Sequence, residues 1–454
     1  MARDAVPLHV GDQETMLLFR IITCGSQPLQ IKSLNLTNFR RFEEFKLDFH
    51  QHLTVLVAVN GGGKTSILDG LAICLGAFLT RLPGIKGINY RKGDFRDQPH
   101  NPPFMRLRCE LASGLAWDRT ELRDKSSKTR ASVKQGLGLK LLHDYADSFI
   151  DAFNEGKPFD LPVILYYGAG RGAFDLPARK RGFGKVFRRF DAFHDCLESR
   201  TNFRRFVEYF YFLEDLEHRT QKEKGSFEVE LPELKAIRNA VSRALPEISN
   251  PRGAYPAGIM IDWNQDTALR IEQLSDGYRT TLAMIMDIAA RMVEANPHLE
   301  DPLQTGGVIL IDEVDMHLHP AWQQTIIGNL QQAFPNIQFI VTTHSPQVLT
   351  TVPPECIRVF DWPKQGPPQL IPVPFSQGAE AHQLLEQILG VTPRPQNQEI
   401  VKKLIEYQRL VEDNRWDDAE ALALREELDQ WGAEFEPELR RLDVDIRFSA
   451  LDRA

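Results

Sequence analysis

The sequence predicts an α/β fold with a largely parallel central sheet, and three observations carry that prediction. Short apolar runs rich in β-branched residues recur at 53–59 (LTVLVAV), 161–169 (LPVILYYGA), 306–314 (GGVILIDEV) and 336–345 (NIQFIVTTHS). They alternate with segments of helical spacing, and strands apolar on both faces belong to sheets covered by helices. A glycine cluster followed by Lys64 and Thr65 separates the first run from the helical text SILDGLAICLGAFL. Finally, the run at 308–311 ends in two adjacent carboxylates, Asp312 and Glu313.

The chain has 454 residues, 42% hydrophobic and 26% charged, which excludes fibrous and wholly disordered classes. It is long enough for two or three packing units at ~150 residues each. No run approaches the ~20 apolar residues of a membrane-spanning helix. The first residues lack a signal-peptide layout, so a cytoplasmic protein with no membrane association is expected. Five scattered cysteines without a C-x-x-C pair fit reduced core thiols. The net charge of −8 is unevenly spread: residues 399–454 hold 9 Lys/Arg and 16 Asp/Glu.

Five regions follow in order. Residues 1–28 have no periodicity and read as an arm. Residues 29–175 open on alternating text (LQIKSLNLTNFRRFEEFKLDF), then carry the first buried strand, the glycine loop and its helix, and a meander at 105–123. Residues 176–250 are basic and aromatic with few strand signals, a helical insertion. Strand patterning resumes at 251–375, with IMIDWN and ALRIEQLS before a helix and two buried strands. Residues 376–454 are helical, amphipathic and acidic; Ile400, Leu404, Tyr407, Leu410 and Val411 fall on one face.

The chemistry concentrates in four strings. Ala58-Val-Asn60-Gly61-Gly62-Gly63-Lys64-Thr65-Ser66 has what a phosphate-binding loop needs: glycines that let backbone N–H groups approach, a lysine for the β- and γ-phosphates, and a hydroxyl for Mg²⁺. Ala58 stands where a first glycine is usual, which requires a negative φ there. Asp312 at a strand tip can hold Mg²⁺ through water, and Glu313 can orient or deprotonate an attacking water. Leu274-Ser275-Asp276-Gly277 precedes a helix, with Ser275 as N-cap; alone this is only a cap. His344, in Thr342-Thr343-His344-Ser345 after a strand, is a candidate γ-phosphate sensor.

In this order the four strings resemble the ATP-binding-cassette heads of the SMC-like branch, a P-loop NTPase fold, over about 30–375. The resemblance implies an ATPase that binds ATP and Mg²⁺ and pairs head to head into homo-oligomers. It implies that each site joins the loop of one protomer to Ser275 and Gly277 of another. Asn38-Phe39-Arg40 resembles the turn whose arginine approaches the phosphates, and Asp315 matches the D-loop. No clear glutamine-loop residue is present; Asp94 is the candidate for its place. The stretch between Lys64 and Asp312 is too short for long coiled-coil arms and too long for a transporter cassette. The layout, with Glu386-Gln-Ile-Leu-Gly-Val-Thr-Pro-Arg-Pro-Gln396, is most similar to the PtuA-like ATPases of Septu-type and retron-associated antiviral systems. There the ATPase works with a separate HNH nuclease. A DNA-repair or recombination clamp is the alternative.

Three weaker signals remain. Residues 178–206 hold 9 Lys/Arg against 3 acids, interleaved with Phe183, Phe187, Phe190 and Phe203. They read either as a nucleic-acid grip or as a solvated helical face over core aromatics. His317 and His319 lack a third ligand at zinc spacing. Asp443 and Asp445 resemble the acidic pair of a TOPRIM nuclease, without the preceding glutamate in a glycine turn.

Overall fold

The alternating text from residue 30 forms a hairpin in which β1 (Ile31–Phe39) pairs antiparallel with β2 (Phe42–Asp48), Leu36 opposite Phe45. Asn38 and Arg40 at its turn have φ of 54° and 52°, a left-handed conformation common for asparagine and rare for arginine. With β4 (Phe104–Leu111) and β5 (Ala116–Leu122), the expected meander, these make a sheet ordered β2-β1-β4-β5. The computed structural model describes residues 29–97, 101–133, 135–171, 187–199, 203–254, 258–363, 366–392, 394–433 and 435–453. The arm at 1–28 and, within the basic run at 178–206, residues 178–186 and 200–202 lie outside the described residues.

The second sheet is the predicted parallel one. β3 (Leu53–Val57), β6 (Val163–Tyr167), β10 (Gly307–Ile311) and β11 (Ile337–Thr342) are buried at every position. Their order is β13-β12-β3-β11-β10-β6, with β12 (Ile357–Asp361) parallel to β3 and β13 (Gln369–Ile371) antiparallel at the edge. The glycine loop leaves β3 and enters α1 (Lys64–Leu79), while Asp312 leaves β10, two strands away across β11. Both loops thus emerge at the carboxyl ends of parallel strands on either side of β11, where open α/β sheets bind ligands.

The text at 251–270 forms a third, separate antiparallel sheet. β7 (Ile248–Gly253), β8 (Ile259–Trp263) and β9 (Thr267–Arg270) pair in that order. The helical reading of the preceding stretch gives α3 (Arg204–Lys224) and α4 (Pro232–Ala244), which follow α2 (Lys140–Asn154). α5 (Asp276–Ala295) is buried on nearly all sides, a core helix, and α6 (Ile326–Ala333) follows β10.

Of the two readings of the basic aromatic stretch, the described part takes the core one. Phe190, Phe203, Phe206, Tyr209 and Phe210 are buried. Arg189 donates to Ala295 O at 2.6 Å and Phe159 O at 2.7 Å. Arg205 gives Glu294 two bonds of 2.6 Å, and that carboxylate is 2% exposed. These two arginines tie the insertion to α5 and are not a phosphate grip. Arg205→Ala would leave Glu294 charged and buried, and should cost about 3 kcal/mol in urea unfolding. A loss below about 1 kcal/mol would mean that water reaches the carboxylate.

Two compact units divide between Leu384 and Leu385. Ser376 and Gly378 bond to Val352 O and Thr350 O, so the first unit reaches past the expected boundary at 376. The second unit has its own core. On α7 (Glu399–Glu412), Leu404, Tyr407, Leu410 and Val411 pack with Ala421 and Leu428 of α8 (Ala419–Trp431) and with Leu439 and Leu442 of α9 (Pro437–Arg453). The amphipathic stripe is therefore an internal core. Asp443 is paired with Arg425 at 3.0 Å, a structural use of that carboxylate. Among the described residues, no helix is long and apolar enough to cross a membrane. Cys74, Cys109, Cys196 and Cys356 are free and buried, as reduced core thiols should be.

Candidate nucleotide-binding site

The glycine loop closes on itself through Gly62 N–H donating to Val59 O at 2.8 Å. Gly63, with φ 103°, turns the chain into α1, and a Cβ there would come within 2.7 Å of the Phe42 ring. Only glycine satisfies both the left-handed backbone and that contact. Ala58 does not appear among the residues of positive φ, which is the condition under which alanine replaces a loop glycine. Its methyl is instead crowded: a Cβ on Gly62 would lie 2.7 Å from it. The first N–H groups of a helix have no partner within it, and a glycine loop running into a helix start is the arrangement that binds anions.

One cavity gathers Arg40, Arg41, Asn60, Gly61, Gly62, Gly63, Lys64, Thr65, Ser66, Asp312, Glu313 and His344. Every loop residue expected from the sequence is there, with both strand-tip carboxylates and the histidine. Lys64 is buried, and its ammonium donates to Ala58 O at 2.9 Å. Burial lowers its pKa, opposed by the charges of Asp312, Glu313 and Asp315. Thr65 Oγ1 donates to Asp312 Oδ2 at 2.7 Å, and Thr342 Oγ1 to Asp312 Oδ1 at 2.6 Å. The second carboxylate has an unusual backbone: Glu313 sits at φ 50°, with its N–H donated to Thr342 Oγ1 at 2.7 Å. A left-handed glutamate costs of order 1–3 kcal/mol, and this one turns its side chain to the cavity beside Asp312. His344 has its pKa lowered by burial and then by Lys64, so it is neutral at neutral pH.

The oxygens of Thr65 and Asp312 suit a hard cation. Magnesium takes one or two carboxylates and completes its shell with phosphates and water. No group of three or more His, Cys, Asp or Glu able to hold a metal occurs among the described residues. His317 and His319 accordingly form no such group; His319 Nδ1 accepts the Ala321 N–H at 3.3 Å as a helix cap.

Four expected residues do not line this cavity. Asp315 accepts a bond from Thr343 Oγ1 at 2.6 Å, which ties its loop to the segment before His344. Ser275 is the N-cap of α5 by position, but its side chain makes no capping bond. Gly277 packs on the same loop: a Cβ there would lie 2.1 Å from His317 O. Asp94, the candidate for the glutamine-loop place, is buried and turned elsewhere. Its carboxylate accepts from Arg40 Nε at 3.0 Å and from Arg91 N at 2.7 Å. It holds the arginine and does not face the loop.

Two residues at the site were missed in the sequence. Arg171 is 6% exposed and gives Asp312 O and Glu313 O bonds of 2.5 and 2.7 Å, clamping the strand tip. Nothing in the text after β6 marks it. Arg41 lies in the cavity itself, and the doubled arginine of Asn-Phe-Arg-Arg was the signal that could have shown it.

A family model described as "AAA domain" matches residues 33–249, and one described as "AAA ATPase domain" matches residues 190–349. The chain is 28% identical to "Retron Ec83 probable ATPase" of Escherichia coli, over 88% of this chain and 84% of that one. It is 25% identical to "Retron Vc95 probable ATPase" of Vibrio cholerae serotype O1 biovar El Tor, over 86% and 85%. It is 46% identical to "Septu protein PtuA" of Bacillus mycoides (strain KBAB4), over 77 residues that make 17% of this chain and 10% of that one. With the glycine loop, the paired strand tip and the histidine in one cavity on a parallel sheet, the chain is an ATPase with a P-loop NTPase fold, similar to the retron ATPases and, over 77 residues, to PtuA.

Proposed function

We propose that the chain hydrolyses ATP with Mg²⁺ in the cytoplasm as the sensor and regulatory subunit of a bacterial antiviral defence complex, controlling a separate HNH nuclease. The observation that carries the chemistry is the 2.7 Å bond between Thr65 and Asp312, with Glu313 beside it. The loop N–H groups and Lys64 hold the phosphates. Thr65 and Asp312 hold Mg²⁺, which neutralises phosphate charge when bound. Glu313 orients water and accepts its proton, and neutral His344 donates an N–H toward the terminal phosphate. Most of the work is positioning.

The reading of head-to-head dimers is supported by Ser275, whose side chain makes no capping bond at the start of α5. A facing protomer would bring that helix start to the terminal phosphate. Ser275→Arg should block hydrolysis while ATP binding stays within about threefold. Mixing it with Lys64→Ala chains should return part of the activity, because one intact composite site forms per mixed dimer. Full-rate hydrolysis by a strictly monomeric form would remove shared sites.

The defence reading rests on the likeness to the retron and Septu proteins. It is tested by phage challenge: cells carrying the system should lose protection with Lys64→Ala. Retained protection, or the lack of any nuclease that copurifies with the chain, would favour the alternative, an SMC-like repair or recombination clamp. Against that clamp, the longest described helix is α3 with 21 residues, and a clamp needs long arms.

A further inference from the structure

Arg40 and Arg41 are neighbours in sequence and face the same cavity, but their surroundings are opposite. Arg40 is fully engaged. It pairs with Asp69 at 2.7 Å and Asp94 at 3.0 Å and donates to Ser66 Oγ at 3.2 Å. Tyr166 adds a bond to Asp69 at 3.0 Å. Two carboxylates neutralise this guanidinium and fix it between β1, α1 and the 92–94 turn. A neutralised, fully bonded arginine adds little attraction for an anion.

Arg41 has no carboxylate partner among the described residues. Its guanidinium lies 3.7 Å from the centroid of the Trp362 ring and donates to Gly61 O. Trp362 is itself fixed, its indole N–H donating to Gly62 O at 2.7 Å and its ring 5.3 Å from that of Phe42. Phe42 in turn lies under Gly63. Trp362 follows β12, the strand on the other side of β3 from β10 and β11. Arg41 therefore flanks the loop opposite Asp312 and Glu313, held on a rigid aromatic platform with its charge unbalanced. Lys64 shows the same pattern, an ammonium resting on a loop carbonyl, Ala58 O. An arginine stacked on an aromatic face keeps its planar donors preorganised.

We infer that Arg41, carried on Trp362, is the second cationic ligand of the nucleotide's phosphate chain beside Lys64, and that Arg40 is a scaffold residue of the turn. The inference rests on the reading that ATP binds this cavity. Arg41 exchanges its bond to Gly61 O for a phosphate oxygen. The Trp362 indole holds the guanidinium within reach and holds the loop through Gly62.

The test is calorimetric titration of the full chain with ATP and ADP, with Mg²⁺ present. Arg41→Ala should weaken ATP at least about tenfold, the scale of one charge-assisted bond. Arg41→Gln keeps an amide donor for Gly61 O but no charge, and should fall with Arg41→Ala. Arg41→Lys keeps the charge and should recover part of the affinity. Trp362→Phe keeps the platform and should bind better than Trp362→Ala. Affinity within twofold of wild type in Arg41→Ala would overturn the assignment. Recovery in Arg41→Gln but not in Arg41→Lys would overturn it too, and leave Arg41 a prop for the loop. Wild-type protein that binds neither nucleotide would instead remove the ATP reading, and this inference with it.

Discussion

Lys64→Ala should lower ATP affinity by about a hundredfold or more and abolish turnover. The ammonium is buried among three carboxylates, Asp312, Glu313 and Asp315. Without it, a polyanionic phosphate chain meets a cavity whose nearest strand tip is negative. Charged hydrogen bonds in such surroundings carry about 1.5–3 kcal/mol each, and a lysine on two phosphates supplies more than one. The fold should survive the change. Burial lowers the pKa of Lys64, so the charged form is worse placed in the folded chain than in the unfolded one. Its contribution to stability therefore improves as pH rises through the lowered pKa, and at neutral pH the charge is a cost to folding. An unfolding midpoint equal to or above wild type, beside lost binding in a titration, is the expected pair of results. Near-normal ATP affinity would mean that the loop N–H groups suffice.

Glu313→Gln should leave ATP binding near wild type and reduce phosphate release by about 10²–10⁴-fold, the usual range for a lost general base. The amide keeps the shape and one acceptor oxygen but cannot take a proton. The backbone at Glu313 is held by bonds that the change does not touch: its N–H to Thr342 Oγ1 at 2.7 Å, and its carbonyl from Arg171 at 2.7 Å. Binding and turnover should therefore separate in one protein sample, measured by titration and by released phosphate. Turnover at the wild-type rate would take the catalytic role from Glu313. Equal loss of binding and turnover would point instead to a collapsed strand tip.

His344 gives a pH dependence of its own. Burial and the nearby Lys64 lower its pKa from about 6.5. A folded pKa below the unfolded one means that folding favours the neutral form. Stability is then lost as pH falls through about 6.5, and a role as neutral N–H donor holds at neutral pH and above.

The sequence by itself determined the parallel sheet, the loop and the paired carboxylates, because each is a local rule. A buried strand reads as an unbroken apolar run, whichever strands lie beside it. A phosphate loop reads as glycines before Lys-Thr because its ligands are backbone groups of consecutive residues. The Asp-Glu tip reads from its own strand. The tertiary structure decided everything that depends on which distant segment a side chain meets. Arg205 and Arg189 leave the stretch open between a nucleic-acid grip and a face over core aromatics, because their partners, Glu294 and the carbonyls at 159 and 295, lie 89, 30 and 106 positions away. The stripe at 400–411 reads as one apolar face, but its cover, Leu428 and Leu442, comes from two later helices. Asp94 looked like a loop-facing residue until Arg40 was seen to claim it. Arg41 and Trp362 lie more than 300 positions apart and met only when β12 was laid beside β3. Charge and apolarity are properties of a residue, but a partner is a property of the fold, and pairing across the chain is what decides whether a charge is spent inside or left for a ligand.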